Sequence, residues 1–408
     1  MAPVDRELTE FDLNVSGQLP PELDGVYVRN GPNPVTPPDP EKYHWFTGTG
    51  MVHGLRLGDG KAQWYRNRWV RSADVAKVLG EDAPSNPWPA DHMSFSANTN
   101  IVAHAGQLLA CVEAGAPPVE MDQELNTLAI SNLNGTLPYA FSAHPKRDPL
   151  SGELHVMTYW WGWGNQVQYL VVGTDGKVRL ARDIELPGGP MIHDIAITER
   201  YALVFDLPVL FDLEAAVTGG VPFQFQRDAG ARLGVMPRNG TNDDVRWIEI
   251  DPCYVFHPVN AYETDTHITI DVSRQREAFG SSNDDYAEVG RLHRWTIDLA
   301  AGTVIEEQID DRPGDFGRVD DRLVGQRARY GYLMALDGEG NAEEPVYGDR
   351  LYKYDLETGA CLEHHLGAGV RGAEPVFAPA SPDAGEDEGW IISLAHDTAS
   401  DRSKMVII

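Results

Sequence analysis

Hydrophobic and polar residues alternate along this chain in short runs, and most runs end at Gly, Asp or Asn. Alternation with a period of two is typical of β-strands buried on one face, whereas long amphipathic helical patterns are scarce. Four segments place two alternating runs around a glycine-containing turn, which predicts β-hairpins. They cover residues 51–68, 168–182, 292–309 and 351–366.

The hairpin turns recur at regular intervals. Their glycines are Gly60, Gly176, Gly302 and Gly359, separated by 116, 126 and 57 residues. These intervals correspond to one or two units of roughly 60 residues, and an all-β unit of this size is typical of a propeller blade. About seven units fit into 408 residues, so we predict a single propeller domain over residues 1–408. A pair of large β-sandwiches is the alternative on this pattern alone.

Long segments without alternation interrupt the predicted blades. Residues 84–100 are rich in Pro and Asn, and residues 205–230 contain a short predicted helix around 213–217. Residues 311–322 are expected to form an acidic loop. Because long loops in a compact β fold are often functional lids, we expect loops and a short helix to cap one face.

The overall charge narrows the classes of partner. The chain has 33 basic and 62 acidic residues, a formal charge of −29. This charge repels phosphate backbones and excludes nucleic acid as a partner. Attraction to anionic lipid is also disfavoured, although an apolar patch, with residues 217–225 as a candidate, is compatible with transient membrane contact.

The cysteines and the N-terminus indicate a cytoplasmic location. Cys111, Cys253 and Cys361 are too widely spaced for a disulfide framework or a thiolate metal site, which fits a reducing compartment. The first residues lack the features of a signal peptide, and no apolar run reaches the length of a membrane span.

Three of the 13 histidines stand at the edges of apolar, strand-like runs. They are His144, His193 and His257, separated by 49 and 64 residues, close to one blade each. Side chains projecting from successive inner strands of a propeller converge on its axis, and converging imidazoles suit a first-row transition metal. For any one of them alone, a hydrogen-bonded polar residue at a strand end is the alternative.

Carboxylates can orient a ligating histidine through its second ring nitrogen. Glu113 and Glu374 lie beside apolar runs, where a solitary charge is costly. A salt bridge or a position facing a loop is the alternative for each. Asp315 is the weaker candidate because its surroundings are already acidic.

Together these segments resemble the carotenoid cleavage oxygenase family, which includes stilbene-cleaving dioxygenases, in the family's order and over almost the whole chain. The matching stretches are LDGVYVRNGPNP (23–34), HWFTGTGMVHG (44–54), AHPKRDPLSGEL (143–154), IHDIAIT (192–198), FDLPVLFDL (205–213), CYVFHPVNAYE (253–263) and DDRLVGQRARYGY (320–332). The resemblance implies a seven-bladed propeller with Fe(II) on its axis, held by four histidines, three of them backed by glutamates.

The resemblance assigns a role to each candidate. His144, His193 and His257 match the first three ligands, and Glu113 and Glu374 match the first and third glutamates. The middle glutamate is replaced by Asp315, whose shorter side chain puts the contact in question. The fourth histidine lies in a Phe-His-Gly motif that has no counterpart up to Ile408. We therefore expect a missing closing segment and an incomplete last blade, or a protein that has lost this ligand.

The activity that the resemblance implies is oxidative cleavage of a conjugated carbon–carbon double bond by O₂, giving two carbonyl products. No catalytic residue beyond the iron site is expected. The substrate would lie in a dry, apolar tunnel, although core packing is an equal alternative for every candidate lining residue. The candidates are Phe95, Trp160, Trp161, Trp163, Phe205 and Phe211.

The residue before Glu113 bears on the substrate. Stilbene-cleaving members tend to have a lysine there, which engages a phenol, whereas this chain has Val112. An apolar residue favours a carotenoid or apocarotenoid. A stilbene-cleaving dioxygenase is one alternative, and an inactive propeller that only binds a partner is the other, because the fourth histidine is absent. A calcium-dependent propeller hydrolase is disfavoured, since it would need converging oxygen ligands.

Overall fold

The computed structural model describes residues 3–39, 43–218, 221–279, 289–336 and 347–408. Antiparallel strands dominate, and they form successive sheets in chain order. The first three sheets are four strands wide. They contain β1 (Leu8–Glu10), β2 (Gly25–Pro32), β3 (Gly50–Gly58) and β4 (Lys61–Trp69); β5 (Asn100–His104), β6 (Gln107–Cys111), β7 (Val119–Met121) and β8 (Thr127–Ile130); and β9 (Lys146–Arg147), β10 (Leu154–Tyr159), β11 (Gln166–Val172) and β12 (Val178–Glu185).

The fourth sheet is interrupted by a separate two-stranded ribbon. The sheet contains β13 (Ala196–Ile197) and β14 (Tyr201–Asp206), and after the ribbon of β15 (Val209–Phe211) and β16 (Phe223–Phe225) it continues with β17 (Ala231–Pro237) and β18 (Arg246–Ile250).

The fifth and sixth sheets share one long strand. The strands are β19 (Pro258–Glu263), β20 (His267–Arg274), β21 (Arg291–Asp298), β22 (Thr303–Arg318), β23 (Tyr330–Leu336), β24 (Tyr347–Asp355) and β25 (Cys361–His365). Residues 303–308 of β22 pair with β21, and residues 314–318 pair with β23. Each of these two sheets is therefore four strands wide.

The seventh sheet has three strands abreast in the described part of the chain. Its strands are β26 (Val370–Arg371), β27 (Val376–Pro379), β28 (Gly389–Asp397) and β29 (Arg402–Ile407). The short strands β26 and β27 pair with one edge of β28, and β29 pairs with the other. This sheet is one strand narrower than the other six.

Helices are few and short among the described residues. The two α-helices are α1 (Ala73–Leu79) and α2 (Leu213–Thr218), and 3₁₀ turns cover Trp45–Thr47, Trp161–Trp163, Arg227–Ala229, Asn242–Asp244 and Asp321–Leu323. Helix α2 coincides with the helix predicted around residues 213–217.

Neighbouring sheets pack face to face around a closed ring. Val52 of β3 shares a core with Ala110 of β6, and this pattern continues from sheet to sheet. The ring closes because Leu57 of β3 also packs with Ile392 of β28, in the seventh sheet. The predicted seven-bladed β-propeller is confirmed, since each blade buries one face against each neighbour.

All four predicted hairpins are present, as β3–β4, β11–β12, β21–β22 and β24–β25. Their turn glycines have φ values of 66°, 75°, 70° and 75° at Gly60, Gly176, Gly302 and Gly359. Glycine adopts this left-handed conformation without the steric cost that a Cβ imposes. The regular glycine spacing therefore reflects turn geometry.

The expectation of an acidic loop over residues 311–322 is wrong for its first part. Strand β22 continues to Arg318, and only the 3₁₀ turn and its flanks are irregular. Arg312 forms ion pairs with Asp310 and with Glu363 of the neighbouring β25. Because these charges are paired across the sheet surface, the acidic composition is compatible with a strand.

Candidate metal centre

The three predicted histidines lie together at the start of inner strands. His144 and His193 precede β9 and β13 by a few residues, and His257 immediately precedes β19. One ligand atom from each lies within 4.8 Å of the others. The ring centroids are 4.5 Å apart for His144 and His193, 5.0 Å for His144 and His257, and 4.9 Å for His193 and His257. The propeller thus converts blade-spaced sequence positions into one cluster.

Glu113 fixes the orientation of His193. The Nδ1–H of His193 donates to Oε1 of Glu113 at 2.9 Å, and the hydroxyl of Tyr159 donates to Oε2 at 3.0 Å. Burial raises the pKa of Tyr159 well above its usual value, so the hydroxyl remains a donor. With Nδ1 engaged, Nε2 of His193 faces Nε2 of His257 at 3.2 Å.

Asp315 occupies the corresponding position behind His257. Its Oδ1 lies 3.2 Å from Nδ1 of His257, and the aspartate side chain is only 1% exposed. The two atoms are close but not aligned as a hydrogen bond. Burial disfavours protonation of His257, yet the nearby carboxylates, Asp315 first and then Asp194 and Glu374, together raise the pKa of His257. Its acidic surroundings made Asp315 the weaker candidate, but the structure buries it beside the imidazole.

Glu374 is on the cavity wall, and its hydrogen-bond partner among the described residues is Arg318 instead of a histidine. Its Oε1 accepts a hydrogen bond from Nη1 of Arg318 at 2.8 Å, and Nη2 of Arg318 also pairs with Asp321 at 2.9 Å. Sequence reasoning did not single out Arg318. Its position on β22, three residues after Asp315, is the signal that links it to the site.

His144 differs from the other two histidines. Its ring has no hydrogen-bond partner among the residues described, and its Nε2 is buried. Burial lowers the pKa of His144 well below its usual value, and the neighbouring His193 and His257 act in the same direction. The imidazole is therefore neutral, the form that binds a metal ion.

The donor set fits a first-row transition metal such as Fe(II). Three imidazoles converge, those of His193 and His257 buried and that of His144 half-buried. Nε2 of His144 has no protein partner, and the Nε2 atoms of His193 and His257 face each other. Imidazole is a common ligand for iron, zinc, copper and nickel, and carboxylates behind such ligands are the usual arrangement. The set does not fit Ca²⁺, which prefers oxygen ligands.

The cluster opens into a cavity of about 710 Å³. Much of its wall is aromatic or apolar, and segments outside the blades supply several of these residues. The apolar wall includes Trp45, Phe46, Val112, Phe223, Phe256 and Phe316. Such a chamber suits an apolar ligand of small-molecule size.

The six aromatic residues predicted for the tunnel divide into two groups. Phe95 and Trp161 are on the cavity wall. The other four lie outside the lining and pack against other rings instead. Trp160 stacks on Tyr139, Trp163 contacts the same tyrosine, Phe205 packs against Trp295, and Phe211 stacks behind Trp161.

Sequence reasoning missed Phe46, Tyr159 and Phe223, which also line the cavity. Phe46 belongs to the segment 44–54, and the resemblance of this segment to the family was the sequence signal that could have identified it. Tyr159 ends β10, and nothing in its local sequence shows that the hydroxyl reaches Glu113 in another blade.

The remaining expectations concern the cysteines, membrane-spanning segments and the candidate apolar patch. All three cysteines are unpaired, and within the described residues no helix is both long and apolar enough to cross a bilayer. Leu213 and Val217 of α2 are 68% and 80% exposed. Residues 219 and 220 of the candidate patch at 217–225 lie outside the described residues.

Comparison with protein families gives a match over the whole chain. The family model described as retinal pigment epithelial membrane protein (RPE65) matches residues 1–408. Among curated proteins, a carotenoid cleavage oxygenase of Mycobacterium tuberculosis is 39% identical, and the match covers 100% of this chain and 91% of the relative.

Solved structures agree with this match. The lignostilbene dioxygenase of Pseudomonas brassicacearum superposes with a TM-score of 0.89 at 30% identity, covering 100% of this chain and 90% of that one. A cobalt-substituted apocarotenoid oxygenase of Synechocystis gives a TM-score of 0.87 at 26% identity, with 100% and 91% covered.

Proposed function

Because this chain belongs to the carotenoid cleavage oxygenase family, we propose that it is an Fe(II)-dependent dioxygenase that cleaves a conjugated double bond of a carotenoid or apocarotenoid into two carbonyl products. The observation that carries the proposal is the convergence of His144, His193 and His257 on the wall of a largely apolar cavity. A donor set for a redox metal and a chamber for an apolar substrate are what this reaction requires.

The protein's own residues prepare the centre. His144, His193 and His257 would hold the iron, and its chemistry there would be the activation of O₂. Glu113 accepts the Nδ1–H of His193 and keeps its Nε2 turned inward, and Asp315 stands behind Nδ1 of His257. Because each of these rings has a carboxylate behind it, the orientation of the donors is favoured before substrate enters.

Aromatic rings beside the ligands exclude water and position the substrate. Phe256 lies edge-on to His193 at 5.4 Å between centroids, and Phe316 lies 4.8 Å from His257. A rigid conjugated chain held between such rings places one double bond near the metal, which favours one cleavage position over its neighbours.

Val112 supports the carotenoid class. It lies on the cavity wall directly before Glu113 and has no polar side-chain atom to bind a phenol. A hydroxystilbene is the second candidate, and the observation that favours it is the 0.89 TM-score to a lignostilbene dioxygenase.

The experiment is turnover of the iron-loaded protein under ¹⁸O₂ with an apocarotenoid and, separately, a hydroxystilbene. We expect two carbonyl products from the apocarotenoid, each carrying one ¹⁸O atom. Cleavage of the hydroxystilbene alone would overturn the substrate class. Labelling of one product only would overturn the dioxygenase assignment, and no turnover with either would favour a propeller that only binds its partner.

His193→Ala and His267→Ala form a matched pair for this assay. Replacing His193 removes a metal ligand and is expected to abolish turnover. His267 is 44% exposed in its side chain and begins β20, away from the cluster, so its replacement is expected to leave the rate unchanged. Retained turnover in His193→Ala would refute the ligand assignment.

We also propose that residues 1–408 work as one propeller domain and that the protein is cytoplasmic. The unpaired state of Cys111, Cys253 and Cys361 supports a reducing compartment. Fractionation of cells producing the protein tests the location, and recovery in a secreted or membrane fraction would contradict it.

A further inference from the structure

We propose that the ion pair between Lys146 and Asp194 is a positioning pair that holds His144 in the metal centre. The inference rests on the proposed function, because it concerns the geometry of the metal ligands. Carboxylates lie beside the rings of His193 and His257, but none accounts for the orientation of His144.

Two of the histidines have a carboxylate beside Nδ1 of the ring, and the third does not. Glu113 accepts from His193, and Asp315 lies 3.2 Å from His257. The ring of His144 has no hydrogen-bond partner among the residues described. Since metal sites need ligands held within about 0.5 Å, something other than a ring contact must fix His144.

The contact that fixes it lies in the backbone and in the residues beside the ligands. His144 and Asp194 form an isolated parallel β-bridge, which joins the inner segments of the third and fourth blades. Asp194 directly follows His193, so this bridge connects one ligand segment to the next. The bridge is a single residue pair, too short to be rigid by itself.

The side chains reinforce this bridge. Nζ of Lys146 donates to Oδ2 of Asp194 at 2.7 Å, and the backbone N–H of Ile195 donates to Oδ1 at 2.6 Å. The Asp194 side chain is 1% exposed and that of Lys146 is 23% exposed. The ion pair therefore ties Lys146, two residues after His144, to the residue after His193.

Removing either charge should move His144 relative to its partners. A buried ion pair that loses one member leaves an uncompensated charge, and the surrounding segment shifts to hydrate it. The segment that would shift carries His144, which has no second anchor. His193 would keep its bond to Glu113, so the displacement should be largest at His144.

The competing explanation is that the pair contributes to stability alone. The fifth blade contains a matched pair that separates the two explanations. Nε of Arg294 lies 2.7 Å from Oδ1 of Asp271, and the side chains are 21% and 3% exposed. Neither residue lies on the cavity wall.

The experiment is titration of the metal-free protein with Co²⁺, followed by visible absorption, with thermal melting of each variant. We expect Asp194→Asn and Lys146→Met to weaken Co²⁺ binding about 10- to 100-fold and to change the absorption spectrum, as loss of an orienting partner does. Asp271→Asn should lower the melting temperature but leave affinity within twofold. Lys146→Arg keeps the charge and should restore most of the affinity.

A double-mutant cycle tests whether the pair acts through His144. In a His144→Ala background, Asp194→Asn should weaken Co²⁺ binding further by less than twofold, because the ligand it positions is gone. Glu113→Ala should still weaken binding in that background, since it acts on His193.

The outcomes distinguish failure of the proposed metal centre from failure of the positioning role of Lys146 and Asp194. Failure of the unaltered protein to bind Co²⁺ would overturn the metal centre and this inference with it. Normal binding together with unchanged affinity and spectrum in Asp194→Asn and Lys146→Met would overturn the inference alone. Equal losses of affinity in Asp194→Asn and Asp271→Asn would also overturn it, because they would indicate a general effect of stability.

Discussion

The Glu113 carboxylate receives two hydrogen bonds, one from the ring of His193 and one from the hydroxyl of Tyr159. A carboxylate engaged at both oxygens cannot rotate freely, and its hydrogen bond then fixes the imidazole plane. Tyr159 is on β10 and Glu113 follows β6, so the arrangement connects the second and third blades. Orientation of His193 thus depends on a residue outside the three-histidine cluster.

This arrangement predicts a graded response to substitution. Glu113→Ala should weaken metal binding about 10- to 100-fold, as the loss of a carboxylate behind a ligating histidine does. Tyr159→Phe should have a smaller effect in the same direction, because His193 keeps its partner. Metal titration of the purified variants measures both.

Tyr169→Phe is the control for this series. Tyr169 is also buried, and its hydroxyl pairs with His155 at 2.6 Å, away from the three-histidine cluster. We expect unchanged metal affinity. Equal affinities in Glu113→Ala and Tyr169→Phe would show that Glu113 has no orienting role.

At this scale the sequence was informative for the clustering of the three histidines and poor for side-chain contacts. Blade spacing identified His144, His193 and His257, because rigid inner strands turn a regular interval into proximity. It could not show that Glu374 pairs with Arg318, or that Trp160 stacks on Tyr139 outside the cavity. Such contacts depend on side-chain directions between segments far apart in sequence.

Four hairpins of the fold have a glycine in the left-handed region at the turn. The turn at Gly359 has φ of +75°, and a Cβ there would meet only Ile309 at 3.5 Å. The cost of replacing this glycine is therefore almost entirely conformational. The same conformation at all four predicted turns explains why hairpins were predictable from sequence.

Gly359→Ala should destabilise the protein by about 1 kcal/mol, the usual cost of a Cβ in the left-handed region. Gly385→Ala is the matched control, since Gly385 has no positive φ and a Cβ would meet only the flexible Glu388 side chain at 3.9 Å. Its effect should stay within about 0.5 kcal/mol. Chemical denaturation measures the free energy of unfolding, and equal values for the two variants would contradict the turn argument.

Strand β22 shows where element prediction failed. Its 16 residues serve two blades, with a register shift on each side of the crossing. The acidic residues near Arg312 gave the pattern of a loop, because their pairing with β25 is a long-range contact. Local composition therefore placed the strand end several residues too early.

The whole molecule is a ring, and its closure depends on contacts between the two ends of the chain. Leu57 packs with Ile392 across more than 300 residues, and no local pattern predicts that pair. The number of blades was predictable from length and hairpin spacing, whereas the pairing of the first and seventh blades required the structure.

Global stability should fall in mild acid because of a buried histidine. Burial lowers the pKa of His155 to about 4, below its value of 6.5 in the unfolded chain. The unfolded state therefore takes up the proton first, and stability is lost as the pH falls from about 6.5 to about 4. Above pH 6.5 this contribution is constant.

His155→Gln should remove this acid sensitivity in part. The contribution lost by the unaltered protein between pH 7.5 and pH 5 is about 2 kcal/mol from the two pKa values. Between pH 7.5 and pH 5, the unfolding free energy of His155→Gln should therefore fall by about 2 kcal/mol less than that of the unaltered protein. Denaturant melts at both pH values measure it, and an identical drop in the two proteins would contradict the assignment.

The central claim is that His144, His193 and His257 bind one metal ion at the cavity wall. Anomalous diffraction at the iron edge, from crystals prepared with Fe(II) without oxygen, tests it most directly. We expect a single strong peak about 2 Å from one ring nitrogen of each of the three histidines. No peak at this cluster, or a peak that contacts fewer than all three, would contradict it.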